Sequence, residues 1–376
     1  MASAESNQEK QQIWELFRDL GESPRTLGAA AGFSAVPGQN FVDRTLSPDT
    51  ISLGKLVLDF MLLRHFGTHV AVRTPAKLNL FLEVLGRRAD GYHELETLMT
   101  TVGIYDRLCV APRDDGQIAL VCRWADGWEA VRHRSATRGD RSAFDPLPVG
   151  RDNLVVRTID RLRERAGIAS GVSVWLTKTI PAAAGLGGAS ADAAAALIAV
   201  NALWRLTWSQ ERLRELAAEV GSDVPFFLGT DGSSAEAALC QGRGERMVRL
   251  TGVPRLPCVV IRPPAGLSTA DVFRACRPAE RPLTARQLVS ALQSGSLRNI
   301  GAALHNRLME PATVLSPWIA RLQAWFARRD VIGHQMSGSG TSYFGLCRTI
   351  RQARGLASQA RQAGWDAVFV ATTPAA

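Results

Sequence analysis

The chain has 376 residues, 46% of them hydrophobic and 21% charged, with a net charge of +9. That length exceeds one ordinary core and predicts two domains with additions, and no apolar run reaches the roughly 18–20 residues of a membrane span. Cys109, Cys122, Cys240, Cys258, Cys276 and Cys347 show no CxxC spacing, which argues against a zinc ribbon or a disulfide framework and for a reducing, cytoplasmic setting. The basic balance invites a nucleic-acid partner. No RRM, KH, helix-turn-helix or zinc-finger spacing accompanies it, so a polyanionic small-molecule substrate, or solubility alone, is the better account, with neither nucleic acid nor membrane as partner.

In chain order, residues 1–68 read as an extension, largely disordered, that mixes Ser, Gly, Pro and charge. Ile13, Leu16, Phe17 and Leu20 space like one short helix face ended by Gly21. The opening MASAESNQEK lacks the basic and apolar regions of a secretory signal. Met61 stands just before the folded pattern, where either a true start or the end of a docking segment would fall. From Val70 the pattern changes. Leu78, Leu80, Leu82 and Val84 alternate with Asn79, Phe81 and Glu83, which predicts a half-buried strand. GRRADGYHE follows as a turn, and residues 113–151 read mostly as loop with strand fragments. A capped helix is expected over 152–167, a strand over 171–177, then PAAAGLGGAS and an alanine-rich helix from about 189 to 204, and a helix over 209–219. Beyond residue 251 a strand is expected at 258–263, helices at 284–294, 297–309 and 315–328, a loop running into a strand at 336–347, a helix at 349–362 and a strand at 365–372. Mixed strands and helices without a regular βαβ rhythm argue for an α+β fold.

Four stretches carry chemistry. In KTIPAAAGLGGASADAAAA (178–196), Gly185, Gly187 and Gly188 let backbone amides approach a ligand closely, and Ser190 stands at the start of a helix whose first N–H groups lack partners. Together they make an anion site. It is not a Walker loop, because its lysine precedes the glycines. A tight turn packing a helix on a sheet fits the same residues. In PAKLNLFLEVLGRRADGYHEL (75–95), Lys77 and Asn79 share one face of a strand. They suit an anionic or hydroxyl-bearing substrate, and an edge strand with a solvated polar face is the plainer alternative. Tyr92 and His93 in the following turn offer a ring to a flat ligand. Asp223 in GSDVPFF is a candidate base or metal ligand, or simply a turn or N-cap aspartate. MSGSGTS (336–342) is a second Gly/Ser loop, or a flexible connector. Only four of the 44 Lys+Arg residues are lysines: Lys10, Lys55, Lys77 and Lys178. Two of these lie inside the motifs, where a compact ammonium does what a guanidinium cannot.

The order of these stretches, with DNLVVR, GRGERM and STADVF between them, resembles the 4-diphosphocytidyl-2-C-methyl-D-erythritol kinase family of the GHMP kinase superfamily over about residues 70–372. The glycine loop is the superfamily's mark, and PAKLNL…GRRADGYHEL is particular to this member. The resemblance implies a two-domain GHMP kinase fold. Residues 69–250 would form a ribosomal protein S5 domain 2-like N-terminal domain, and residues 251–376 a ferredoxin-like C-terminal domain. It implies ATP-dependent phosphorylation of the substrate 2-hydroxyl, with Mg²⁺. Lys77 and Asp223 match the catalytic pair. Asn79, Tyr92, His93, Thr269 and Phe273 match the acceptor site, with Tyr92 and Phe273 around cytosine and His93 reading its edge. Asn153, Leu154 and Lys178 match the adenine pocket, and Pro181, Ala184, Gly185, Leu186, Gly187, Gly188 and Ser190 the phosphate loop. The family's GLGGGSSDAA is here GLGGASADAA, so a methyl at Ala189 is expected to crowd a backbone that needs positive φ, and Ala191 removes a hydroxyl. Another kinase of the superfamily, acting on homoserine, mevalonate or a sugar, would lack the cytosine set. A non-catalytic nucleotide- or RNA-binding protein on the same scaffold would not need Lys77 and Asp223.

Overall fold

In the computed structural model, the residues described are 61–128, 131, 147–229 and 236–374. The amphipathic stretch at residues 13–20, the rest of the extension up to residue 60, and 129–130 and 132–146 within the long 113–151 region lie outside them.

Two antiparallel hairpin strands dominate the first half. β1 (Leu62–Phe66) pairs with β2 (His69–Arg87), and β2 pairs along its length with β3 (His93–Arg113). Residues 62–66, read from the sequence as extension, are thus a strand of the sheet, and Met61 is buried. β4 (Ile118–Trp124) and β5 (Gly171–Lys178) complete the order β1-β2-β3-β5-β4, with β4 parallel to β5. β6 (Ala237–Gly242) pairs with the first part of β3 and with β7 (Arg246–Arg249). β2 is an interior strand buried on both faces. Lys77, Asn79, Phe81 and Glu83 are as buried as the leucines between them, which corrects the half-buried expectation and removes the edge-strand alternative.

Helices α1 (Leu154–Ala166), α2 (Gly188–Leu203), α3 (Gln210–Val220) and α4 (Val224–Leu228) follow. α2 is buried along most of its length because its alanines let backbones pack closely. With β2, β3, β5 and α1 it builds one apolar core.

The second sheet starts at β8 (Pro257–Arg262). After it come α5 (Thr269–Ala275), α6 (Arg286–Gln293), α7 (Leu297–Ala302), the two-residue strand β9 (His305–Asn306), α8 (Met309–Leu315) and α9 (Pro317–Ala327). β10 (Gly333–Met336) and β11 (Tyr343–Leu346), α10 (Ile350–Gln362) and β12 (Ala367–Thr372) close the chain. The order β10-β11-β8-β12, all antiparallel, is the ferredoxin-like arrangement. The single helix expected over 297–309 breaks after Ala302. His305 and Asn306 pair with Phe81 and Leu82 of β2 in parallel, a tertiary contact that overrides helical spacing.

Candidate active site

The glycine loop is held by its carbonyls. Ser342 N donates to Ala184 O (3.0 Å), Ser337 Oγ to Gly185 O (2.9 Å), Lys77 N to Leu186 O (2.9 Å) and Ala191 N to Gly187 O (2.8 Å). Residues 188–190 open α2, where the first amides have no acceptor within the helix and no side chain caps them. That is the geometry an anion requires. Ala184 and Leu186 point their side chains into the core and serve through their backbone, and Pro181 is likewise buried.

Two glycines are required by space as well as by φ. Gly185 (φ +73°) lies so close to the second Gly/Ser loop that an added Cβ would be 2.0 Å from Ser337 O. Gly187 (φ +70°) would place a Cβ 2.9 Å from both Lys77 Cγ and Phe227 Cζ. Ala189, by contrast, is exposed and helical. The methyl expected to crowd the loop meets no positive φ; the one non-glycine residue of the loop with positive φ is Ala183 (φ +47°).

Lys77 is buried beside Gly187. Its Nζ donates to Asn79 Oδ1 (2.5 Å) and lies 3.4 Å from Asp223 Oδ2. Asn79 is fixed in turn, with Nδ2 donating to Thr97 Oγ1 (2.8 Å), whose hydroxyl donates to Phe81 O (2.7 Å). Asp223 occupies the N-cap position of α4, yet its side chain makes no cap bond. Pro225 has no N–H to offer, and the carboxylate faces Lys77 instead. Asp223 thus stands in the turn before α4, as one alternative expects, without using its side chain as a cap. The side chain of Asp223 remains 34% exposed, so a ligand can reach it.

Tyr92 is exposed, and the guanidinium carbon of Arg243 sits 5.0 Å from its ring centroid. The His93 ring lies 5.1 Å from that of Phe273. Burial, with Arg87 nearby, lowers the His93 pKa and favours the neutral imidazole. Thr269 Oγ1 shares a hydrogen bond with Ser339 Oγ (2.9 Å), tying α5 to the second Gly/Ser loop.

The residues matched to an adenine pocket are otherwise engaged. Asn153 caps α1, with Oδ1 accepting from Val155 N (2.9 Å) and Nδ2 donating to Pro148 O (2.8 Å). Leu154 packs against the first core. Lys178 is buried, with its ammonium between Asp106 and Asp192.

Three supporting residues escaped the sequence reading. Ser337 bonds the phosphate loop and accepts from Asn79 N (3.3 Å). Asn306 holds the second loop through Met336 O (2.8 Å) and Gly338 O (2.9 Å). Asp192 had a legible signal: it is the one carboxylate in an otherwise apolar, alanine-rich helix.

Comparison with known proteins follows this geometry. The family model described as "GHMP kinases N terminal domain" matches residues 153–230, and "GHMP kinases C terminal" matches 288–365. A 4-diphosphocytidyl-2-C-methyl-D-erythritol kinase of Pelotomaculum thermopropionicum is 41% identical over 76% of this chain and 92% of its own length. One from Rhodopirellula baltica is 39% identical over 74% and 87%. The crystal structure of a 4-(cytidine 5'-diphospho)-2C-methyl-D-erythritol kinase superposes with TM-score 0.63 at 34% identity, covering 80% of this chain and 98% of that one. A homoserine kinase from Cytophaga hutchinsonii shares the fold, with TM-score 0.58 at 21% identity over 83% of this chain and 98% of that one.

Proposed function

We propose how phosphoryl transfer is carried out by this chain, which belongs to the 4-diphosphocytidyl-2-C-methyl-D-erythritol kinase family of the GHMP kinases. It is an ATP-dependent small-molecule kinase of non-mevalonate isoprenoid precursor synthesis. The observation that carries the mechanism is the Lys77–Asp223 pair, 3.4 Å apart and directly against Gly187 of the phosphate loop.

Phosphoryl transfer is mostly positioning and charge stabilisation. The amides of residues 185–190 cradle the ATP phosphates. Asp223 accepts or orients the proton of the acceptor's 2-hydroxyl, and Lys77, held by Asn79, stabilises the charge that develops on the transferred group. Tyr92, His93 and Phe273 bind the cytosine of the acceptor, with Thr269 beside them. A neutral His93 offers both a donor and an acceptor to the base edge. The Ser190 hydroxyl, half-buried in the first turn of α2, fits a Mg²⁺ carried on the phosphates, since such an ion keeps several waters and takes only one or two protein oxygens. When bound, the ion would neutralise phosphate charge. Among the described residues no helix is long and apolar enough to cross a membrane, and the six cysteines are free thiols, which supports a cytoplasmic enzyme.

A coupled ADP-release assay with the cytidylyl, homoserine and sugar acceptors side by side tests this reading. Turnover is expected with the cytidylyl acceptor and should be lost in Asp223→Asn. Turnover with homoserine instead would reassign the substrate while leaving the kinase.

A further inference from the structure

Asp106, Lys178 and Asp192 form a sealed cluster that joins the two ends of the phosphate loop. Lys178 ends β5, just before the loop, and Asp192 lies in α2, just after it. The Lys178 ammonium pairs with a carboxylate oxygen of each aspartate. The other oxygen of Asp106, on β3, accepts from Thr179 N and from Ile180 N (2.8 Å). Trp128 Nε1 donates to Thr179 O (3.0 Å). A Cβ on Gly188 would lie 3.2 Å from Lys178 Nζ, so the cluster sits directly against the loop's last glycine. All three side chains are buried.

Stability is a poor explanation for such a cluster, because removing charges from water costs more than filling the same space with apolar side chains. Fixing a geometry is a better one. The entry of the loop hangs from Asp106, the exit from Asp192, and one lysine links them. Burial and the neighbouring Asp106 carboxylate push the Asp192 carboxyl well upward, while the two aspartates raise the Lys178 pKa against the pull of burial.

We propose that Asp106 is a positioning residue for ATP, acting through Lys178 and the amides of Thr179 and Ile180 to set the phosphate loop, and that Lys178 serves ATP through this cluster and not by touching the base. The proposal rests on the reading that ATP phosphates occupy the loop.

The test compares Asp106→Asn with Asp192→Asn in the full chain. Asparagine at 106 keeps an acceptor for the two amides but loses the charge that holds the ammonium. At 192 it removes one carboxylate partner of the ammonium and leaves Asp106 on the amides of Thr179 and Ile180. Asp106→Asn should raise the KM for ATP about tenfold or more, as loss of a charge-assisted hydrogen bond does. Its KM for the acceptor should not change, and amide hydrogen exchange over 179–191 should quicken. Asp192→Asn should raise the KM for ATP by a smaller factor than Asp106→Asn, because Asp106 alone also holds the two entry amides, and should leave the KM for the acceptor unchanged. If both KM values rise together, or if only the melting temperature falls, the cluster is merely structural and the proposal is overturned. Should Asp106→Asn fail to fold, the neutral pair Asp106→Asn with Lys178→Gln replaces it. An unchanged KM for ATP there overturns the proposal, and a rise confined to ATP supports it. Binding of a non-hydrolysable ATP analogue to wild type, with protection of residues 181–191, tests the underlying reading separately from every variant.

Discussion

Lys77 and Lys178 are two of only four lysines in the chain, and they flank adjacent glycines of one loop, Lys77 against Gly187 and Lys178 against Gly188. Their surroundings are opposite. Lys77 meets one carboxylate, Asp223, whose side chain is 34% exposed. Lys178 meets two carboxylates, Asp106 and Asp192, with side chains 0% and 4% exposed. The carboxylates around Lys178 are sealed from any ligand, whereas the one beside Lys77 is within a ligand's reach. Under the proposed roles, the exposure of the partner carboxylates separates a reacting pair from a positioning cluster around two equally buried lysines.

The largest expected effect breaks the comparison at the Lys77 side. Asp223→Asn keeps the shape and removes the charge, so steady-state turnover should fall at least ~10²-fold, the low end for loss of a general base. Acceptor binding should survive, since the lost interaction acts in the transition state. Turnover near wild type with an unchanged pH profile would leave Asp223 a bystander. Lys77→Arg should be crippled too. A planar fork cannot replace a compact ammonium wedged among Asn79, Asp223 and Gly187.

Next in size is the loop that separates the two lysines. Gly185→Ala sets a Cβ 2.0 Å from Ser337 O at φ +73°. Backbone must move, so affinity for an ATP analogue should weaken by about tenfold or more, or ~1.4 kcal/mol, as titration calorimetry would read. Ala189→Gly, one turn edge away in an exposed helical position, should leave that affinity within about twofold and serves as its control. Equal losses in the two would mean that the loop tolerates displacement and that close approach is not what selects glycine.

A smaller and more selective effect is expected away from both lysines. Phe273→Ala should weaken the cytidylyl acceptor by ~1–3 kcal/mol, the range for base–aromatic stacking, with the KM for ATP unchanged. Losses of equal size for both substrates would make Phe273 a packing residue of its core. The smallest effect belongs to removal of residues 1–60. Both sheets and every candidate site residue lie at or beyond Met61, so turnover should hold and the melting temperature should move by less than ~2 °C. The cut has to fall before Met61, which is buried, and before β1, which pairs with β2. A large loss would show that the removed segment packs on the enzyme.

Much of this was legible in the sequence because it is local. Alternation along β2 put Lys77 and Asn79 on one face, and their 2.5 Å contact is the consequence. The capped helix expected over 152–167 forms at Leu154–Ala166, with Asn153 as its cap. The glycines at 185 and 187 marked the loop, and the order of the motifs marked the family. Tertiary structure decided what periodicity cannot carry. Whether β2 is interior or edge depends on strands far along the chain. Whether Asp223 caps a helix or faces a lysine depends on Lys77, and whether Lys178 meets a base or a buried acid pair depends on Asp106 of β3. Ser337 and Asn306 reach the site only because the second sheet brings its loop against the first. Side-chain type is written in the chain, but the partner that selects its charge, exposure and role comes from contacts remote in sequence, which form only when the whole core closes.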